Sequence, residues 1–156
     1  MIKNQNKLRL WINSIIIIVS LIILTDFILP GKVFSDEIVM VKKERQKHKT
    51  SSKYHYSYKI ITSTHQFSVS EDFVSIVSVK DNIMYSVSSI FNEVNWYRLL
   101  TTEKKDVYSL RIITGLIVPL FTIVLIVIAN RFNYQIGTLV FLAHIFLIAD
   151  LIYLLL

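Results

Sequence analysis

Residues 10–29 read LWINSIIIIVSLIILTDFIL. The run matches the roughly 20 apolar residues that carry a helix across a hydrocarbon layer about 30 Å thick. Its β-branched residues suit strands in water but serve equally as the lipid-facing side chains of a helix. Lys3, Lys7 and Arg9 precede it, and Trp11 fits an interfacial anchor at its start. Pro30 and Gly31 stop it, since proline lacks a donor and glycine tolerates the exit geometry. A cleavable signal peptide is the rival reading, with Val33 and Ser35 flanking a cut before Asp36. Against that, the apolar run exceeds a signal core of 7 to 15 residues and carries Asn13 and Asp26.

Two further runs share this character: LRIITGLIVPLFTIVLIVIA at 110–129 and IGTLVFLAHIFLIADLIYLLL at 136–156. Bunching into three runs explains how the chain reaches 53% hydrophobic residues and a mean hydropathy of +0.53. Gly115 and Pro119 lie four residues apart, so a kink is expected in the second helix. The short link 130–135 makes the second and third helices an antiparallel hairpin.

Between the first two runs, in residues 30–109, the apolar period changes to two. It is clearest in Tyr54-His55-Tyr56-Ser57-Tyr58-Lys59-Ile60 and recurs at Ile38–Val41, Gln66–Ser70, Phe73–Val79 and Ile83–Val87, the last after the turn-like Lys80-Asp81-Asn82. Residues 90–100, IFNEVNWYRLL, read either as a last strand or as a short amphipathic helix on the membrane. The predicted fold class is therefore an α+β membrane protein. A basic tail (1–9), three transmembrane helices (10–29, 110–129, 136–156) and a small β-rich sheet, sandwich or barrel (30–109) make up the chain.

The formal net charge is +6. Residues 31–108 hold twelve Lys and Arg against nine Asp and Glu, a balance of +3, which does not mark a nucleic-acid domain. The remaining cations near helix ends are topology signals. Lys3, Lys7, Arg9 and Arg131 place the N-terminus in the cytoplasm and the β domain outside, whereas Lys32, Lys42, Lys43, Arg45, Lys104, Lys105 and Arg111 pull the other way. The loop exceeds the length over which that rule is strong, so the extracytoplasmic placement is preferred. Composition rich in Ile, Asn, Lys, Ser and Tyr suggests an AT-rich bacterial genome and a cytoplasmic membrane.

The absence of cysteine excludes disulfides, thiolate catalysis and Cys-ligated metal. Isolated Gly31, Gly115 and Gly137 form no phosphate loop, and no serine stands in a nucleophile elbow. No enzymatic activity, cofactor, metal or small-molecule substrate is expected. His48, His55 and His65 with Glu71 and Asp72 follow no ligand spacing.

Three groups of residues remain as candidates. Asp26, Arg111 and Asp150 all fall toward the domain side of the bilayer, where an Arg–carboxylate pair offsets the cost of buried charge, with Tyr153 one turn from Asp150. The plainer reading is snorkelling plus a structural pair. His144, mid-helix, reads as a helix-contact residue. Lys42, Lys43, Arg45, Lys47 and Lys49 form a basic hairpin that is either a solvated tip or a contact for anionic lipid, surface polysaccharide or an acidic partner. The expected function is a non-catalytic accessory or assembly subunit that touches membrane lipid and other membrane subunits. A transporter-like subunit using the Asp/Arg cluster and an envelope-binding module are the alternatives.

Overall fold

A computed structural model describes residues 2–47, 54–132 and 136–156. In chain order the elements are α1 (Ile2–Ile28), β1 (Lys32–Lys47), β2 (Tyr54–Thr62), β3 (Gln66–Val69), α2 (Glu71–Ile76), β4 (Asn82–Val87), β5 (Val94–Leu99), α3 (Ser109–Ile112), a π-turn (Ile113–Ile117), α4 (Val118–Arg131) and α5 (Gly137–Leu155). They form two compact units, a helical one (Met1–Leu29 with Ile112–Leu156) and a sheet unit (Pro30–Arg111).

Three helical stretches, Lys7–Ile28, Ser109–Arg131 and Gly137–Leu155, are long and apolar enough to cross a membrane. Asn13, near the start of α1, donates from Nδ2 to Oδ1 of Asn130 at the end of α4, 3.4 Å away. Phe27, at the other end of α1, lies against Gly115 in the π-turn, so α1 and α4 run antiparallel. Small side chains line the inside of the unit: Ser20, Thr122, Ala129 and Ala143 are buried, which lets helices approach closely. Ser20 and Thr122 satisfy their hydroxyls on the carbonyls of Ile16 and Val118, each at 2.9 Å, and so bury no orphan polar group. Phe121, Phe141 and Phe146 point outward.

The distortion expected at Gly115 and Pro119 takes the form of the π-turn. Pro119 has no N–H to give, and in a regular α-helix its ring would press on the Gly115 carbonyl. Instead Val118 N–H bonds back to Ile113 O, five residues earlier, and the extra residue relieves the crowding. A Cβ on Gly115 would meet the Phe27 ring, its nearest atom 2.5 Å away. Gly115→Ala is therefore expected to cost about 1–3 kcal/mol through overpacking, read as an earlier unfolding midpoint when SDS is titrated into neutral micelles. An unchanged midpoint would show that Phe27 gives way freely.

The sheet has the order β3-β2-β1-β4-β5 and every pair is antiparallel. β1 serves two partners: Lys32–Glu37 pair with β4, and Ile38–Lys47 pair with β2. The register slips between Ile38 and Met40, leaving Val39 as an extra, exposed residue. This bulge has a packing consequence. Strict alternation would send Ile38 and Val41 to opposite faces, and the added residue returns both to the core side.

The curl brings β3 over β4 and β5, so that Phe67 sits 4.9 Å from the Tyr85 ring and 5.9 Å from Tyr97. The core is built from Ile38, Tyr58, Ile60, Phe67, Val69, Phe73, Ile83, Tyr85, Val87, Tyr97 and Leu99. Gly31 enters this unit without a side chain because a Cβ there would strike the Val87 carbonyl. A cut before Asp36 would divide β1 inside its pairing with β4.

Two sequence expectations change here. The segment Phe73–Val79 is no strand: α2 occupies Glu71–Ile76, with Ser70 as N-cap accepting from Phe73 N at 3.3 Å and Glu71 and Asp72 in the first turn, where the helix dipole favours anions. Residues 90–100, left open between strand and helix, contain β5.

Candidate functional site

The residues singled out from the sequence divide between the units. Asp26 and Asp150 are buried in the helical unit, and Arg111 is buried in the sheet unit, where its Nε donates to Asn95 Oδ1 at 2.9 Å. Asp150 falls on the buried stripe of α5 with Val140, Ala143, Leu147 and Leu154, whereas Tyr153 is half exposed. His144 stands off that stripe. It borders a groove of about 360 Å³ between α1 and α5, walled by Leu8, Ile12, Val140 and Phe141, with Arg9 and Asn13 on its margin. Because the start of α1 and the start of α5 share this groove, the two helices are parallel. Asp26, about 20 Å beyond Asn13, and Asp150, about 9 Å beyond His144, therefore lie toward the same end. The Nε2 atom of His144 is buried and has no hydrogen-bond partner among the described residues.

The basic hairpin is an antiparallel ribbon in which Lys43 pairs with Tyr58, Arg45 with Tyr56 and Lys47 with Tyr54. Lys42 and Lys59 both approach Glu44, at 2.9 and 3.5 Å. The hydrogen bond from Lys42 is the main reason the Glu44 carboxyl is held below the usual range. Lys43 Nζ lies 4.0 Å from the Tyr56 ring centroid and 5.4 Å from that of Tyr58. Lys49 and His48 fall outside the described residues.

The densest polar constellation was not anticipated. Asp36 Oδ2 accepts from the hydroxyls of Tyr85 and Thr64, each at 2.5 Å, and more distantly from Thr62 at 3.4 Å. His65 Nδ1 lies 2.9 Å from both the Thr64 and the Tyr85 oxygens. Since both hydroxyl protons are committed to the carboxylate, Nδ1 carries its proton and donates to those oxygens. Thr62 Oγ1 in turn accepts from the backbone N–H of His65 at 3.0 Å. Phe34 covers one side, 4.7 Å from the His65 ring and stacked at 5.7 Å on Tyr85.

Hydrogen bonds from Thr64 and then Tyr85 hold the Asp36 carboxyl below its ordinary range. Burial, reinforced by the bond to Asp36, pushes the Tyr85 phenol up. A carboxylate saturated by donors is a weak base, so the arrangement suits bracing rather than proton transfer. It ties β1, the β2–β3 turn and β4 together at one rim of the curl. The sequence held one signal of it: Asp36 occupies a core-side position between Phe34 and Ile38, where an acid needs a built-in partner.

Of the histidines and carboxylates that follow no ligand spacing in the sequence, His48 and the His55 side chain fall outside the described residues. Glu71 accepts from the Tyr58 hydroxyl at 3.0 Å, and among the described residues no three His, Asp or Glu side chains converge. No family model, curated protein or solved structure matches the chain.

Proposed function

We propose that the chain is a non-catalytic integral membrane protein, an accessory or assembly subunit whose three helices cross a bacterial cytoplasmic membrane and whose sheet unit stands on the extracytoplasmic side. The observation that carries the accessory role is the groove beside His144. Its walls are apolar, yet it holds the Asn13 amide on its margin and the His144 imidazole, whose buried Nε2 lacks a partner. In lipid such a group is costly. A helix of a partner subunit carrying a hydrogen-bonding side chain supplies the missing bond and fills the groove with its own apolar residues.

The test uses the exposed Phe141 at the groove wall. A photoreactive residue at 141 is expected to cross-link one partner polypeptide in native membranes, and the same residue at Phe121, exposed on α4, is expected to give several-fold less of that adduct. Equal or absent adducts at the two positions would overturn the reading. His144→Ala is expected to reduce the adduct at 141.

A further inference from the structure

We infer that the β1–β2 ribbon is a docking surface for an anionic phospholipid headgroup layer. Residues 42–59 contain seven Lys and Arg (42, 43, 45, 47, 49, 53 and 59) and one acid, Glu44, giving +6. The whole chain is +6, so the other 138 residues sum to zero, ten basic against ten acidic. Residues 42–59 thus carry the protein's entire net charge.

The pairing shows that this hairpin outruns its own fold. β3 covers β2 only over Tyr58–Ile61, and β4 covers β1 only over Lys32–Glu37. From Glu44 and Ser57 outward the structure is a two-stranded arm, a form marginal in water unless something packs on it. Along the arm the core-side face changes character. Val41 and Ile60 give way to Lys43 beside Tyr58, whose ring still belongs to the core and whose hydroxyl is held by Glu71, and then to Arg45 and the exposed Tyr56, so that cations and a tyrosine stand side by side on adjacent strands about 4.8 Å apart. Lys43 and Arg45 are exposed, Tyr56 is 43% exposed, and the Lys43–Tyr56 contact fixes the ammonium over a ring.

Tyrosine beside lysine and arginine is the composition that settles at a headgroup layer, with the ring at the interface and the charges on phosphate. Each Lys or Arg adds a modest attraction to anionic lipid, and such attractions accumulate over a flat array. Tethering decides the source of the anion. In the membrane-crossing reading, on which this inference rests, the helices keep lipid at high effective concentration, so a weak array without a deep pocket is enough.

The full chain would be placed in zwitterionic nanodiscs and offered vesicles of 30% phosphatidylglycerol in phosphatidylcholine. Capture of these vesicles at 50 mM salt is expected, with at least a tenfold loss at 500 mM salt and a comparable loss in K43E/R45E. K43Q/R45Q, a milder change, is expected to fall between. K104E/K105E, with the same charge change elsewhere on the sheet unit, is expected to keep capture within twofold. Capture by neither, equal loss in both double variants, or capture of an anionic polysaccharide or oligonucleotide in place of vesicles would each overturn the proposal. A chain that stays water-soluble and never enters the discs would instead defeat the membrane-crossing reading itself.

Discussion

Phe73→Ala is expected to remove about 3–5 kcal/mol from the sheet unit, the transfer and cavity cost of a buried phenyl ring. Phe73 is 2% exposed, and its ring meets Tyr97 edge-on at 4.6 Å. A unit of about 80 residues is typically stable by roughly 4–12 kcal/mol, so this one change consumes much of the margin. Urea unfolding of the full chain in neutral detergent, followed through Trp96 on β5, checks it. Ile76→Ala on the same helix is the control, because Ile76 is 59% exposed and its loss is expected to stay within about 0.5 kcal/mol. A Phe73→Ala midpoint indistinguishable from that control would mean that α2 does not close the core.

That helix is also where sequence periodicity misled. Phe73-Val74-Ser75-Ile76-Val77-Ser78-Val79 alternates well enough to resemble a strand, and six helical residues are too few to display a 3.6-residue repeat. The decisive signal was the cap, Ser70 followed by Glu71 and Asp72, which points to a helix start. The long helices were legible because hydrophobic length is a strong, local signal, and the strands at Tyr54, Gln66 and Ile83 because half-buried strands alternate. The bulge at Val39 was not: one inserted residue leaves composition unchanged and shows only as a slip in register.

Site residues divide along the same line. The basic run was visible because its charges are contiguous, but its tyrosine partners come from the opposite strand and appear only once Lys43 is registered on Tyr58. The brace around Asp36 combines residues 36, 62, 64, 65 and 85, and no short window of sequence contains them. In the sequence His65 belongs only to a group without ligand spacing, and its role as a donor to Thr64 and Tyr85 follows from the antiparallel pairing of β1 with β2 and β4.

Removing the Asp36 charge should reveal what that brace contributes. Asp36→Asn keeps an acceptor for Tyr85 and Thr64 but loses the charge-assisted part of both bonds. A destabilisation of about 1–2 kcal/mol is expected, at the low end because the carboxylate is partly open to solvent. Asp36→Ala takes the charged acceptor from the fully buried Tyr85 hydroxyl and leaves it only the neutral Thr62, Thr64 and His65 atoms within reach, and about 2 kcal/mol is expected. The pH dependence follows from the direction of the shift. The folded carboxyl lies below its ordinary value of 3.8, so the folded state favours the anion. Its contribution is complete above about pH 4 and declines as pH falls through the lower, folded pKa. The gap between wild type and Asp36→Asn in urea midpoint should therefore be full at pH 7 and narrower at pH 3. A double-mutant cycle with Tyr85→Phe should give a coupling of at least about 0.5 kcal/mol, because both changes act on one bond. A gap that stays constant from pH 7 to pH 3, with additive mutations, would assign the effect to packing and leave the carboxylate no bracing role.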